Sequence, residues 1–386
     1  MKKIGTFVVL GAAVFTLGTF VSCTKKNAQA ESDTIKIGVF EPMTGANAAG
    51  GALELEGVRL ANELYPTVTA GGKEYKVELV VADNKSDKVE AANAVQRLVD
   101  KEKVKVVLGS WGSGYSIAAG PIVQEAKVPA MGLTCTNPLV TKDNPYYFRV
   151  CFIDPFQGTV GGKFATETLG AKRAAVLYDI QNDYSVGLEE NFVKAFEAGG
   201  GTVVARESYS TGDKDFNAQL TKIKNANPDV VYLPDYYGTV ALIARQLRMQ
   251  GITSPIVGAD GWDGLTGNAG DEVLNGFYSN HYAVDSTVPA VQKFVSSFRT
   301  KYNSAPNSFA ALGYDCVYML RDAIVKAGTL DAAAVRTALE ATNGDYVTGH
   351  LTFDERHNPV KSAVMLELVR GTDGKLTSVY KTTVNP

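Results

Sequence analysis

Val104-Lys-Val-Val-Leu108 runs into Gly109-Ser-Trp-Gly-Ser-Gly-Tyr-Ser116, and an apolar, Pro-containing helical run follows to Lys127. A second short strand, Val128-Pro-Ala-Met131, leads into Gly132-Leu-Thr-Cys-Thr-Asn-Pro138. Two strand ends therefore open, one after the other, into loops rich in Gly, Ser and Thr. In an open parallel sheet such loops lie side by side at the carboxyl edge, where ligands bind. Ser113 stands where it could cap the following helix, whose free N–H groups attract an anion. Thr134 and Thr136 add hydroxyls and main-chain groups from the second loop. The pair suits a small anionic head group, and neither loop holds a nucleophile beside an activating base.

On either side of this stretch, strand and helix patterns alternate. Thr34 to Phe40 and Lys76 to Ala82 read as strands, and Ala52 to Leu64 and Asp87 to Glu102 as helices with apolar residues at helical spacing. Beyond Cys151-Phe-Ile-Asp-Pro155 the alternation restarts. Arg173 to Tyr178, Thr202 to Glu207, Pro228 to Leu233 and Pro255 to Ala259 are strands separated by helices. This order predicts an α/β fold with parallel sheets covered on both faces, built twice. From about Gly276 two long helical runs, Val288 to Tyr302 and Phe309 to Lys326, and a third from Asp331 to Glu340, are followed by strands at Gly349–Phe353 and Ala363–Val369. These late segments can complete both halves, so the chain crosses between them more than once.

A length of 386 residues suits two domains, and a hydrophobic content of 45% with 20% charged residues is that of a globular protein. A net charge of −3 without clustered basic residues argues against nucleic acid as a partner. Lys2 and Lys3 before an apolar stretch to Val21 predict an export signal over residues 1–22. Phe20-Val-Ser-Cys23 resembles the bacterial lipobox, which implies a lipid on Cys23 and a polar tether over 23–33; cleavage after Ala28-Gln-Ala30 is the alternative. Cys135, Cys151 and Cys316 form neither a disulfide framework nor a zinc pattern, and read as small buried thiols. No spacing of His281, His350 and His357 suggests a metal site, and no cofactor-binding motif is present.

Ile35-Lys-Ile-Gly-Val39, Pro42-Met-Thr-Gly45, Lys214-Asp-Phe216, Pro228-Asp-Val-Val-Tyr232, Arg245-Gln-Leu-Arg248 and Gly349-His-Leu-Thr-Phe-Asp354 occur in that order. Together they resemble bacterial extracytoplasmic solute-binding proteins of the branched-chain amino acid (Leu/Ile/Val-binding) type, over Thr34 to near Val379. The resemblance implies a periplasmic-binding-protein type I fold, with two doubly wound parallel-sheet lobes joined by three crossover strands. It implies one lobe from 34–152 and 282–353 and the other from 154–281 and 356–386, with crossings near Val150–Asp154, Tyr278–Ala283 and Thr352–Arg356. It also implies a protein that closes on an amino acid and presents it to the permease subunits of an ABC importer, outside the cytoplasm and anchored by the lipid on Cys23.

Position by position, the resemblance implies that Ser113 and Thr136 hydrogen-bond the ligand carboxylate. Thr134 offers a main-chain carbonyl to the ammonium, Tyr184 and Tyr236 close over the ligand, and Asp260 pairs with the α-ammonium where Glu is usual. Trp111 and Tyr115 place bulk in the second loop where some relatives have an aromatic in the first, here only Ala49 and small neighbours. Without the resemblance, Ser113, Thr134, Thr136, Tyr184 and Asp260 could serve as caps and turn residues, Asp263 competes with Asp260, and Trp111 could be loop packing. Three functions compete: a transport receptor, a sensing module for an amino acid or amide-like ligand, and an enzyme. The last is disfavoured because the candidates are hydroxyls, aromatics and one acid without an activating base.

Overall fold

The structure, a computed structural model, describes residues 33–385; the signal segment 1–22, Cys23 and tether residues 24–32 lie outside the described residues. β1 (Thr34–Glu41) is almost wholly apolar at its core positions because both its faces are covered. Ile35, Ile37 and Val39 pack with Leu55, Val58 and Ala61 of α1 (Ala48–Leu64). β2 (Thr67–Ala70) and β3 (Lys73–Asp83) form an antiparallel hairpin at the sheet edge. On the opposite face Phe40 packs with Val95 and Leu98 of α2 (Lys88–Asp100), whose first turn is capped by the Asp87 carboxylate. β4 (Val106–Leu108), α3 (Ser113–Ala126), β5 (Ala130–Gly132) and β6 (Tyr147–Arg149) complete the first sheet, in the order β2-β3-β1-β4-β5-β6. Every pairing except β2–β3 is parallel.

The chain then crosses to a second sheet. α4 (Asp154–Lys163) ends in a π-helical turn, Phe164–Thr168, and leads to β7 (Arg173–Asp179), α5 (Asp183–Ala198) and β8 (Thr202–Tyr209). α6 (Asn217–Ala226), β9 (Val230–Tyr232), α7 (Tyr237–Met249), β10 (Ile256–Gly258) and β11 (Gly276–Asn280) follow. α8 (Pro289–Tyr302), α9 (Ser308–Ala327) and α10 (Ala332–Glu340) return to the first sheet, where Phe294, Leu320 and Leu339 join the core around Ile37. β12 (Asn343–Tyr346), β13 (Gly349–Phe353) and β14 (Pro359–Val360) make a small antiparallel sheet beside that core. β15 (Ala363–Arg370) and β16 (Leu376–Val384) finish the second sheet, in the order β16-β15-β11-β10-β9-β7-β8. The result is two α/β lobes with parallel central sheets.

Both central sheets are parallel as expected, and each adds antiparallel strands at one edge: β2 in the first sheet, β15 and β16 in the second, with β16 in a stretch not assigned as a strand from sequence. Its side chains are mostly half-exposed, as suits an edge strand, so it carries little apolar patterning. The third crossing comes later than Thr352–Arg356. Asp354 accepts the N–H groups of Arg356 and Asn358, both at 2.8 Å, and His357 takes a left-handed φ of 59°. This turn folds Pro359-Val360 back onto β13, so the passage to the second sheet is Lys361-Ser362. Buried Lys361 Nζ donates to Thr348 Oγ1 at 2.6 Å and to the Val150 carbonyl at 3.4 Å, tying this crossing to the first.

Candidate ligand-binding site

The loops after β4 and β5 lie side by side at the carboxyl edge of the first sheet. Ser113 is the first residue of α3 and not its cap; Gly112 holds that place at φ 94°, a conformation that favours glycine. Ser113 is buried, and its Oγ accepts the Asn137 N–H at 3.2 Å, which joins the first loop to the second while leaving its own O–H to donate. Thr136 Oγ1 is buried without a hydrogen-bond partner. Thr134 gives its hydroxyl to Glu54 of α1, so only its main chain can serve a ligand. Buried Arg149 sets the second loop from beneath: its Nη1 donates to the carbonyls of Cys135 at 2.7 Å and Asn137 at 2.9 Å.

Trp111 is 2% exposed, and its indole lies flat enough on Gly50 that a Cβ there would collide with it. Its ring centroid is 4.2 Å from that of Tyr236, which belongs to the second lobe, and 5.9 Å from that of Phe309. Packing and lining the cleft are thus the same role for Trp111. Tyr236 in turn stacks on Tyr184 at 5.0 Å with the planes 7° apart. Tyr184 is not a surface turn residue. It sits buried in the first turn of α5, where the Asn182 side chain caps its N–H at 3.1 Å.

The loop after β10 carries Asp260, buried and already well bonded. Its Oδ1 accepts Tyr184 Oη at 2.8 Å and Gln157 Nε2 at 3.1 Å, and its Oδ2 lies 3.0 Å from His281 Nε2. Burial lowers the His281 pKa to about 4, so the ring is neutral and its Nε2–H donates to the carboxylate. Asp154, at the start of α4, is the second acid. Burial first, and then the charge of Asp260, push its pKa up to about 8, although the Thr136 hydroxyl and Gln157 partly oppose this. Its Oδ2 has no hydrogen-bond partner. Asp263, the competing acid, has other work: its Oδ2 accepts the Ser308 N–H at 2.6 Å at the start of α9.

The wall on the first lobe therefore offers hydroxyls and N–H groups, and the wall on the second offers two buried carboxyl groups beneath stacked aromatic rings. Lys88 Nζ to Asp183 Oδ2 at 2.7 Å, Asn137 Nδ2 to the Asp183 carbonyl at 2.7 Å, and the Asp263–Ser308 bond cross the cleft. A cavity of about 580 Å³ at its mouth is lined by Asn47, Trp111, Tyr115, Asp235 and Tyr236. A larger one, about 870 Å³, lies along the connecting segments and is lined by His281 to Ala283, Thr348 and Lys361; it includes none of the seven ligand candidates. Sequence reasoning missed Asp154, Gln157, His281, Glu54 and Arg149. Asp154 and Gln157 stood in plain view as Asp-Pro-Phe-Gln at a helix start, but read as a connection between halves. Cys135, Cys151 and Cys316 are buried free thiols.

A sequence profile described as periplasmic binding protein matches residues 34–375. The leucine-, isoleucine-, valine-, threonine- and alanine-binding protein of Pseudomonas aeruginosa is 30% identical over 84% of this chain and 87% of its own length. The crystal structure of a leucine binding protein, LivK, from Thermotoga maritima is 39% identical, with a TM-score of 0.86 over 92% of this chain and 99% of that one. The branched-chain amino acid transporter substrate binding protein LivJ of Streptococcus pneumoniae, solved with isoleucine, is 33% identical, with a TM-score of 0.82 over 92% of this chain and 100% of that one. The chain belongs to the periplasmic binding protein family, of the type that includes the Leu/Ile/Val-binding proteins, and its two lobes are those of the type I fold.

Proposed function

We propose that this protein is the ligand-binding component of an ABC importer that captures a small apolar L-amino acid, branched-chain first, between its lobes. One observation carries the reading: the buried Thr136 hydroxyl and the Oδ2 of buried Asp154 have no partner beyond each other, side by side where the Asp154 N–H donates to the Thr136 carbonyl at 3.0 Å. Buried polar groups without partners are costly, and a zwitterion supplies both at once. Its carboxylate would take the Ser113 and Thr136 hydroxyls and the α3 N-terminus, and its ammonium would take Asp154, Asp260 and the Thr134 carbonyl. Tyr184, Tyr236 and Trp111 would close over the rest, an apolar boundary for an aliphatic side chain.

Lobes of 34–152 with 282–360 and 154–281 with 363–386 would move against each other about the crossings near 150–154, 278–283 and 361–362. Support comes from the separate hydrophobic cores under each sheet. We further propose delivery to membrane permease subunits from outside the cytoplasm, with Cys23 carrying the lipid that holds the protein at the membrane. Globomycin treatment or Cys23→Ala should release the protein from membranes into the soluble fraction; unchanged fractionation would remove the anchor. For the ligand, melting-temperature shifts and calorimetry with the common amino acids decide, since binding to the native state alone raises stability. Leucine, isoleucine or valine should bind at a single site. Binding only of amides or polyols would overturn the reading.

A further inference from the structure

Glu41 and Glu54 are fully buried beneath the two first-lobe loops. Glu41 ends β1, and its Oε2 accepts the Trp111 N–H at 2.8 Å and the Ser110 hydroxyl at 3.4 Å. Glu54, on α1, accepts the Thr134 hydroxyl at Oε1. The remaining oxygens, Glu41 Oε1 and Glu54 Oε2, find no protein donor, yet the two carboxyl groups are within hydrogen-bonding reach of each other. Two carboxylates in contact repel, whereas one acid can give its O–H to the other. We propose that Glu41 and Glu54 share one proton, and that this pair is the tie that sets the spacing between the loop bearing Trp111 and Ser113 and the loop bearing Thr134 and Thr136.

The assignment satisfies every oxygen. Glu41, ionised, accepts from Trp111, Ser110 and Glu54; Glu54, neutral, donates to Glu41 and accepts from Thr134. Burial is the leading cause that raises both acids, and the contact between them divides the shift, lowering Glu41, the acceptor, and raising Glu54, the donor, well above its ordinary value. The titratable groups facing the pair are Cys135 of the second loop, Tyr147 of β6 and Cys316 of α9. Neither Glu is placed to touch a ligand; both act by positioning residues that are. As a consequence, the native state keeps a proton that the unfolded chain loses above the ordinary Glu range. Stability from the pair therefore falls as pH rises from there and through the raised range of Glu54, where the shared proton is lost.

The inference rests on the proposed ligand reading, and Glu54→Gln tests it, because a Gln amide donates to Glu41 and accepts from Thr134 with no proton to lose. With L-leucine as the probe, the variant should bind within about twofold of wild type near pH 7. As pH rises above about 7 wild-type affinity should fall further than that of the variant, up to roughly tenfold per unit of pH once the shared proton is lost. Melting temperature without ligand should decline with pH more steeply in wild type. Parallel profiles, or a folded Glu54→Gln protein that no longer binds near pH 7, overturn the shared proton. Glu41→Gln serves the same test if Glu54→Gln does not fold. If wild type binds no L-leucine the ligand reading fails, and the two stability profiles alone then decide the pair.

Discussion

Thr136 and Asp154 are the residues on which the ligand reading turns, since the Thr136 hydroxyl and Asp154 Oδ2 are buried with no partner beyond each other. Thr136→Val keeps the shape and removes the donor, so it should cost about 1–3 kcal/mol of binding, roughly 5- to 150-fold in Kd, with melting temperature near wild type. Calorimetry checks both. Asp154, with its pKa near 8, is mostly neutral at pH 7, and an ammonium beside it would draw the value down. Binding near pH 7 should then release a proton, and the advantage of wild type over Asp154→Asn should grow with pH up to about 8, because above that the carboxyl is already charged. Calorimetry in buffers of different ionisation enthalpy measures the proton directly; no buffer dependence would remove Asp154 from the ammonium site. Asp260 differs in that Tyr184, Gln157 and His281 already hold it. Asp260→Ala should therefore weaken binding strongly and also lower stability, because it strands three donors or rings packed around it.

Among the elements, α9 carries a prediction of its own. Asn307 caps it through the Ala310 N–H, and a further N–H, at Ser308, is received by Asp263 from the other lobe. Asp263→Ala should raise the ligand off-rate and cost about 1 kcal/mol in affinity, with little change in stability without ligand. Stopped-flow fluorescence would show it, and an unchanged off-rate would mean the bond contributes nothing to closure. The same elements show what the chain made legible. Both central sheets could be read from β-rich runs such as Thr34–Phe40 and Arg173–Tyr178, since buried parallel strands are apolar throughout. β16 could not, because an edge strand needs no apolar alternation, and neither could the turn at Asp354 that moves the third crossing. At the site, loop hydroxyls and glycines marked Ser113, Thr134 and Thr136, but spacing alone left them equal to turn residues. Glu54, Arg149 and His281 were illegible in principle, as each acts on a residue far away in the chain, and only the fold brings them together.

At the scale of the whole molecule, the chain passes three times between the two sheets, and the contacts that span the cleft are polar bonds and one aromatic patch, in which Trp111 and Phe309 of the first lobe pack with Tyr236 and Tyr237 of the second. Surface pairs such as Lys88–Asp183 contribute about 0–1 kcal/mol each, so closure depends on what lies between the lobes. Small-angle scattering should accordingly show a smaller radius of gyration with ligand than without; equal radii would argue against hinge closure. The central claim, that a zwitterionic amino acid bridges a first-lobe hydroxyl and a second-lobe acid, is tested most directly by calorimetric titration of wild type, Thr136→Val and Asp154→Asn with L-leucine, L-isoleucine and L-valine. The account predicts one site per chain, loss of affinity in both variants, and proton release in wild type that Asp154→Asn abolishes. Binding that is equal in all three proteins, or no binding of any of these amino acids to wild type, would contradict it.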